Sequence, residues 1–322
     1  MARPHWWQRR LDSWLTKRIP TARSVTLDQR RIFIFPSRAG LAFLLVLAVM
    51  LIAAINYQNN MAFALVFFLF SLFIVAILHT FSNLSGLRIE ALRGYPTFAG
   101  ESAEFEVRLG RTRERAHHAI ELAWPGQPMA KLSLLDAQAA TVKLFYRADR
   151  RGLLRPRRLL VQTYYPLGLL RAWTWIDLDI MALVYPRPLA GPRPLSEEGE
   201  VDSGNRVLKK GSDDFYGFRP YRSGDNLRHV LWRAYAKGQP LQAKQFAETY
   251  VQSHWLDYDA CDGDREKRLS VLCYWVLESE RKGDVFGLRL PGVTLEQDSG
   301  AEQRERALRQ LALFQTPRVS SR

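Results

Sequence analysis

Two uninterrupted apolar runs, set almost back to back, constrain this sequence more than any other feature. Residues 39–55, AGLAFLLVLAVMLIAAI, carry no polar side chain, and residues 61–78, MAFALVFFLFSLFIVAIL, carry only Ser71. At about 1.5 Å per residue the first run would rise roughly 26 Å as a helix, close to the hydrocarbon thickness of a bilayer. The linker NYQNN, residues 56–60, is uncharged and allows only an antiparallel return. The pattern predicts a transmembrane two-helix hairpin over residues 39–80 with both flanks on one side. Buried core helices are the competing reading, but two such neighbouring runs are rare in soluble domains.

The basic residues orient the hairpin. Arg3, Arg9, Arg10, Lys17, Arg18, Arg23, Arg30, Arg31 and Arg38 precede the first run, against Asp12 and Asp28, and the linker has neither Lys nor Arg. The positive-inside rule puts the flanks in the cytoplasm. Residues 1–38 are therefore expected to be a basic cytoplasmic segment, and both termini to be cytoplasmic. Within that segment Trp7, Leu11, Trp14 and Leu15 share one face of a helix that Pro20 ends, a pattern suited to the headgroup zone. A signal peptide fits poorly, because the basic region is long and a second span follows at once.

The net charge of +14 bears on partners rather than fold. It suits an anionic leaflet or nucleic acid, or basic residues spread over solvated faces. Only Cys261 and Cys273 are present, without a metal-ligand spacing around them, so reduced cytoplasmic thiols are expected.

From residue 84 to about 190 the period shortens to two. LRIEAL (87–92), EFEVRL (104–109) and TVKLFYRA (141–148) alternate apolar and polar side chains; RRLLVQTYY (157–165) and ALVYP (182–186) are also expected strands. Gly and Pro punctuate them, which points to a small antiparallel β-sandwich. His117 and His118 sit in a polar stretch and read as loop residues. YYPLGLLRAW (164–173) reads as a packed turn.

Residues 205–248 hold the densest constellation. Asp225 can cap a short helix over about 226–237, with Leu227, Val230, Leu231 and Tyr235 on its apolar face and Gly238 as its stop. Arg219, Arg222, Arg228, Arg233, Lys237 and Lys244 stand among Phe215, Tyr216, Phe218, Tyr221 and Trp232. Such a set can pair internally with Asp213, Asp214 and Asp225, or it can present a protein- or lipid-binding surface through Arg222, Arg228, Arg233, Lys237 and Lys244. Trp232, the other aromatics and Arg219 are expected inside. No RNP, helix-turn-helix or zinc-finger pattern supports nucleic acid.

This segment resembles the signature of a bacterial family, domain of unknown function family 58, which looks like G-x-D-D-F-x-G-x-R-x-Y-x-x-G-D followed by Trp and then a basic residue and Gly. Gly211, Asp213, Asp214, Phe215, Gly217, Arg219, Tyr221, Gly224, Asp225, Trp232, Lys237, Gly238 and Lys244 stand where that pattern asks. PLGLLRAW, VYPRP and the NYQNN turn are similar too, so the likeness covers roughly residues 30–260. It implies a membrane hairpin, a β-rich domain and a von Willebrand type A-like segment. It also implies a non-enzymatic adaptor beside a MoxR-type AAA+ ATPase and a transglutaminase-like membrane protein, with no cofactor.

A type A domain places a metal at D-x-S-x-S. Here Asp257 matches, while Asp259 and Cys261 replace the serines; a thiol is a soft ligand poorly suited to Mg²⁺. The site reads as degenerate. Residues 264–282 and 302–313 are expected helices and 285–290 a strand, giving a partial α/β type A-like segment over residues 249–316. The whole reads as a membrane-anchored α+β protein of the bacterial inner membrane, acting as a scaffold with a cytoplasmic protein-binding surface. The competing function is a hydrolase that would use Asp213, Asp214 and Asp225. No G-x-S-x-G, Walker A or H-E-x-x-H motif accompanies them.

Overall fold

The computed structural model describes residues 21–28, 31–112, 114–194, 206–208, 215–221, 230, 232–236, 238, 240–246 and 250–316. The fold is α+β, with two long apolar helices and several β-sheets. It divides into two compact units, Met1–Tyr185 with Gln315–Arg322, and Pro186–Phe314. The helices and the strand-rich region that follows them belong to the same unit.

The first long helix, α1, spans Arg38–Tyr57. Ser37 caps it: its hydroxyl accepts from Gly40 N at 3.1 Å and donates to Gly168 O at 2.6 Å. Gly40 is required there, because a Cβ would stand 1.9 Å from the Leu169 carbonyl oxygen. Gln58 ends the helix in the left-handed region, and the Asn59 side chain caps α2, Asn60–Leu84, by accepting from Met61 N and Ala62 N. Both helices are long and apolar enough to cross a membrane, and both leave most large side chains outward, among them Leu45, Val49, Ile52, Phe67, Phe68 and Leu78. In α2 the final turn differs: Thr80, Asn83 and Leu84 are buried.

Two larger sheets serve this unit. One runs β1 (Ser24–Thr26), β3 (Leu87–Gly94), β5 (Ser102–Arg111), β8 (Ala139–Arg147). The other runs β2 (Phe33–Pro36), β11 (Leu170–Ile176), β10 (Leu159–Thr163), β6 (His117–Ala123), β7 (Ala130–Leu134). Every pair in both is antiparallel. A third, small sheet joins β4 (Thr97–Phe98), β12 (Ala182–Tyr185) and β9 (Gly152–Leu154). Period-two alternation sends Ala103, Phe105, Val107 and Leu109 of β5 inward, where they join Ile120, Leu122, Val161 and Ala172 of the other sheet in one apolar cluster. Phe105 meets Trp124 edge-on at 5.1 Å. Each fully buried side chain of this size contributes about 1.5–3 kcal/mol.

The basic N-terminal segment thus supplies two strands. Val25 of β1 lies opposite Ile89, and β2 becomes the edge of the five-stranded sheet. His117 and His118 correct the loop reading: they open β6, and His117 is buried. A register shift between His117 and Ile120, with Ala119 at φ 46, breaks the alternation that would have marked the strand.

In the second unit, β13 (Arg206–Leu208), β16 (Tyr250–Asp257), β17 (Val285–Leu290) and β18 (Val293–Asp298) form a sheet in that order. β16 and β17 are parallel, and the helix Arg265–Lys282 connects them. Asp264 caps that helix by accepting from Lys267 N, Gly283 ends it at φ 73, and Leu269, Leu272, Cys273 and Val276 are buried. Leu277, expected inward, is half-buried. A helix over Ala301–Leu313 follows, and a hairpin of β14 (Phe215–Pro220) and β15 (Gln242–Phe246) flanks the one-turn helix α3 (Trp232–Tyr235). In chain order the helix Arg265–Lys282 is α4 and Ala301–Leu313 is α5. β18 has no counterpart in the sequence reading; its run VTLEQD is short and polar.

Candidate functional site

Much of the signature segment lies outside the described residues: Gly211, Asp213, Asp214, Arg222, Gly224, Asp225, Arg228 and Lys237. So does the amphipathic stretch at residues 7–15. Phe215 and Arg219 lie on β14, Lys244 on β15 and Arg233 in α3. The register sets Phe218 opposite Lys244 and Arg219 opposite Ala243, and Tyr221 N donates to Leu241 O at 2.9 Å to close the ladder. Trp232 corrects an expectation. It is 53% exposed rather than enclosed, while Val230, bridged to Ala243, is buried. A single helical turn is too short to turn a broad face inward.

The Asp257 turn is held by its own backbone. Asp257 Oδ1 accepts from Asp259 N at 3.0 Å, and the Cys261 thiol donates to Asp257 O at 3.6 Å. Asp259 faces Arg268 at 4.0 Å. Among the described residues no group of three His, Cys, Asp or Glu is placed to hold a metal ion. Burial pushes the Cys261 thiol up to about 11 and Cys273 up to about 12. Both cysteines are free and buried.

A serine–histidine contact lies in the second unit, and its polarity is wrong for catalysis. Arg193 Nη2 stands 2.8 Å from His254 Nδ1; a guanidinium can only donate, so Nδ1 accepts. Nε2 then carries the proton and donates to Ser279 Oγ at 2.9 Å. Activation of a serine needs the reverse. Ser279 is also 1% exposed. Arg193 continues to Asp284 at 3.8 Å. Burial, then the charges of Arg193 and Lys282, lower His254 to about 4, so it is neutral.

The most developed polar constellation sits where α2 enters the strand-rich part. Asn83 Nδ2 donates to His118 O at 2.7 Å and to Thr163 Oγ1 at 2.9 Å, and Asn83 Oδ1 accepts from His118 N at 2.7 Å. His117 Nδ1 donates to Asn83 O at 2.7 Å. The His118 ring stacks on Tyr165 at 4.3 Å. One amide thereby ties the end of an apolar helix to β6 and β10. Burial lowers the His117 pKa, which keeps the junction neutral. The sequence signal for it is faint: an asparagine closing an apolar run, with a His-His pair far along the chain. No protein-family model, no curated protein and no solved structure matches this chain.

Proposed function

We propose that this protein is a membrane-anchored scaffold, whose hairpin crosses the bacterial inner membrane and whose other parts, including both termini, meet partners in the cytoplasm. The observation that carries this reading is the junction at Asn83. The two apolar helices leave their large side chains outward, and the last turn of α2 is fastened by hydrogen bonds into β6 and β10. A helix pair that served only as an anchor would need no such fastening; one that sets the pose of a surface does. The two larger sheets sharing one apolar cluster support a β-sandwich for the presenting part. The parallel β16–α4–β17 unit supports a partial type A-like module.

The resemblance supplies the partners of this proposal: a MoxR-type AAA+ ATPase and a transglutaminase-like membrane protein. The docking surface would be the basic set Arg222, Arg228, Arg233, Lys237 and Lys244. The test combines topology and association in cells. A reporter active only outside the cytoplasm should be silent when fused at the C-terminus and active when inserted in residues 56–60. Detergent-solubilised full-length chain should co-purify with the ATPase, and Arg222→Glu with Lys237→Glu should weaken that association without changing the melting temperature. Activity of the C-terminal reporter sinks the topology; undiminished association in the paired variant sinks the surface.

A further inference from the structure

A cavity of about 600 Å³ opens at the root of α1, lined by Phe35 of β2, Arg38 at the helix start, Tyr164, and Arg171 and Trp173 of β11. No carboxylate is among the described residues that line it. Among the described residues Arg171 is oriented without an ion-pair partner. Its Nε donates to the amide oxygen of Gln162 at 2.9 Å, and its guanidinium lies 5.8 Å from the centre of the Trp173 ring. Gln162 passes the contact on, donating to Glu121 at 2.8 Å, and that carboxylate is matched by Lys131 at 2.7 Å. The chain of contacts across β11, β10, β6 and β7 therefore holds two cations to one anion.

The rim is apolar. Phe33 stacks on Trp173 at 5.1 Å, and Phe33 and Phe35 are exposed. Above it the exposed row Leu41, Leu45, Val49 and Ile52 continues up α1. Water favours neither the aromatic rim nor this row. The boundary between acyl chains and headgroups favours both, and there an arginine meets phosphate with a fork of donors.

We propose that this cavity binds the phosphate of an anionic phospholipid, whose acyl chains lie along the exposed row of α1. The proposal rests on the reading that the hairpin spans the membrane. It names a site and a ligand class where that reading names only a solvent. Two arginines converge on one headgroup, Arg38 from the helix and Arg171 from the sheet, so the bound lipid bridges the two elements beside the Ser37–Gly168 contact.

The test uses the full-length chain in nanodiscs of phosphatidylcholine, with and without phosphatidylglycerol, with retained lipid counted by native mass spectrometry. Phosphatidylglycerol should be retained in preference, and Arg38→Gln with Arg171→Gln should lower its retention by roughly tenfold or more. Arg38→Gln alone, at an exposed side chain, should give part of that loss with an unchanged melting temperature in phosphatidylcholine alone, and the paired Lys variants, which keep the charge but lose the fork, should keep part of the preference. Equal retention of the two lipids, or an unchanged double variant, overturns the proposal while leaving the hairpin reading intact. Occupancy by inorganic phosphate with no preference for phosphatidylglycerol also overturns it, assigning the cavity to a soluble anion. Failure of the chain to enter phosphatidylcholine discs overturns the hairpin reading, and the headgroup proposal with it.

Discussion

The helix Arg38–Tyr57 and the helix Arg265–Lys282 are of similar length and turn opposite faces outward. In α1 Leu41, Leu45, Val49 and Ile52 are exposed, and neither its first nor its last turn carries a complementary charge. In α4 Leu269, Leu272 and Val276 are hidden, Glu266 lies in the first turn, and Arg281 and Lys282 lie in the last. There Glu278 reaches Arg281 at 2.7 Å and Lys282 at 3.2 Å. Those charges also suit the helix dipole, positive at its start and negative at its end. The contrast teaches that the solvent a helix is built for is written in what it leaves outside, not in how apolar it is on average.

The largest expected effect tests that contrast directly. Leu272 is 0% exposed, so Leu272→Ala should lower the stability of the second unit by about 2–5 kcal/mol, through lost transfer energy and the cavity left behind. Leu45 is 67% exposed, so Leu45→Ala should change the melting temperature of the detergent-solubilised protein by an amount equivalent to less than about 0.5 kcal/mol. If α1 spans a membrane as proposed, Leu45→Arg should instead impair insertion, at a cost of about 3 kcal/mol near the middle of the helix. If Leu45→Ala proved as damaging as Leu272→Ala, the outer face of α1 would be a protein contact and the comparison would break.

The same contrast explains what was legible. The long runs 39–55 and 61–78 fall within α1 and α2 because unbroken apolarity marks them, and the strands at 87–92 and 104–109 lie close to β3 and β5 because burial on one face writes a period of two; 182–186 lies close to β12. β1 and β2 were illegible, since SVT and FIFP are too short to show a period and sit among arginines. The junction at Asn83 was illegible for another reason: its partners lie 35 and 80 residues away, joined by hydrogen bonds that leave no pattern along the chain. Trp232 was misplaced because the signature names residue types and not the side of the chain they occupy.

Two buried histidines among the described residues, His117 and His254, carry the comparison to acid. In the unfolded chain His254 takes a proton near its ordinary 6.5; in the fold it stays neutral down to about 4. Above pH 6.5 both states are neutral and stability is full. Between pH 6.5 and 4 only the unfolded state binds the proton, so stability falls as pH falls, by about 3 kcal/mol in all. His117 is shifted in the same direction, by burial, and should add a loss of the same sign in the first unit. Denaturant melts from pH 7 to 4 on the full chain and on His254→Gln would resolve the two. The variant should flatten the profile of the second unit alone, and an unchanged profile would contradict the assignment.

A smaller effect than these losses concerns how the two helices begin. Asp264 accepts one bond, from Lys267 N at 3.1 Å, in an exposed position where water can replace it. Asp264→Ala should therefore cost about 1 kcal/mol, the usual value of a lost cap. Ser37 does two things: it accepts from Gly40 N at 3.1 Å and donates to Gly168 O at 2.6 Å, in a part-buried site against a turn that Gly40 approaches closely. Ser37→Ala removes both bonds where water enters less easily, so its cost should exceed that of Asp264→Ala. Ser37→Thr, which keeps the hydroxyl, should restore most of it. Amide exchange at Gly40 and Leu41 is the sharper readout, because a loosened helix root frees those groups before the rest of the helix is disturbed. Equal costs for the two alanine variants would mean that the start of α1 is as open to water as the start of α4, and the difference drawn between the two helices would then hold for their faces but not for their ends.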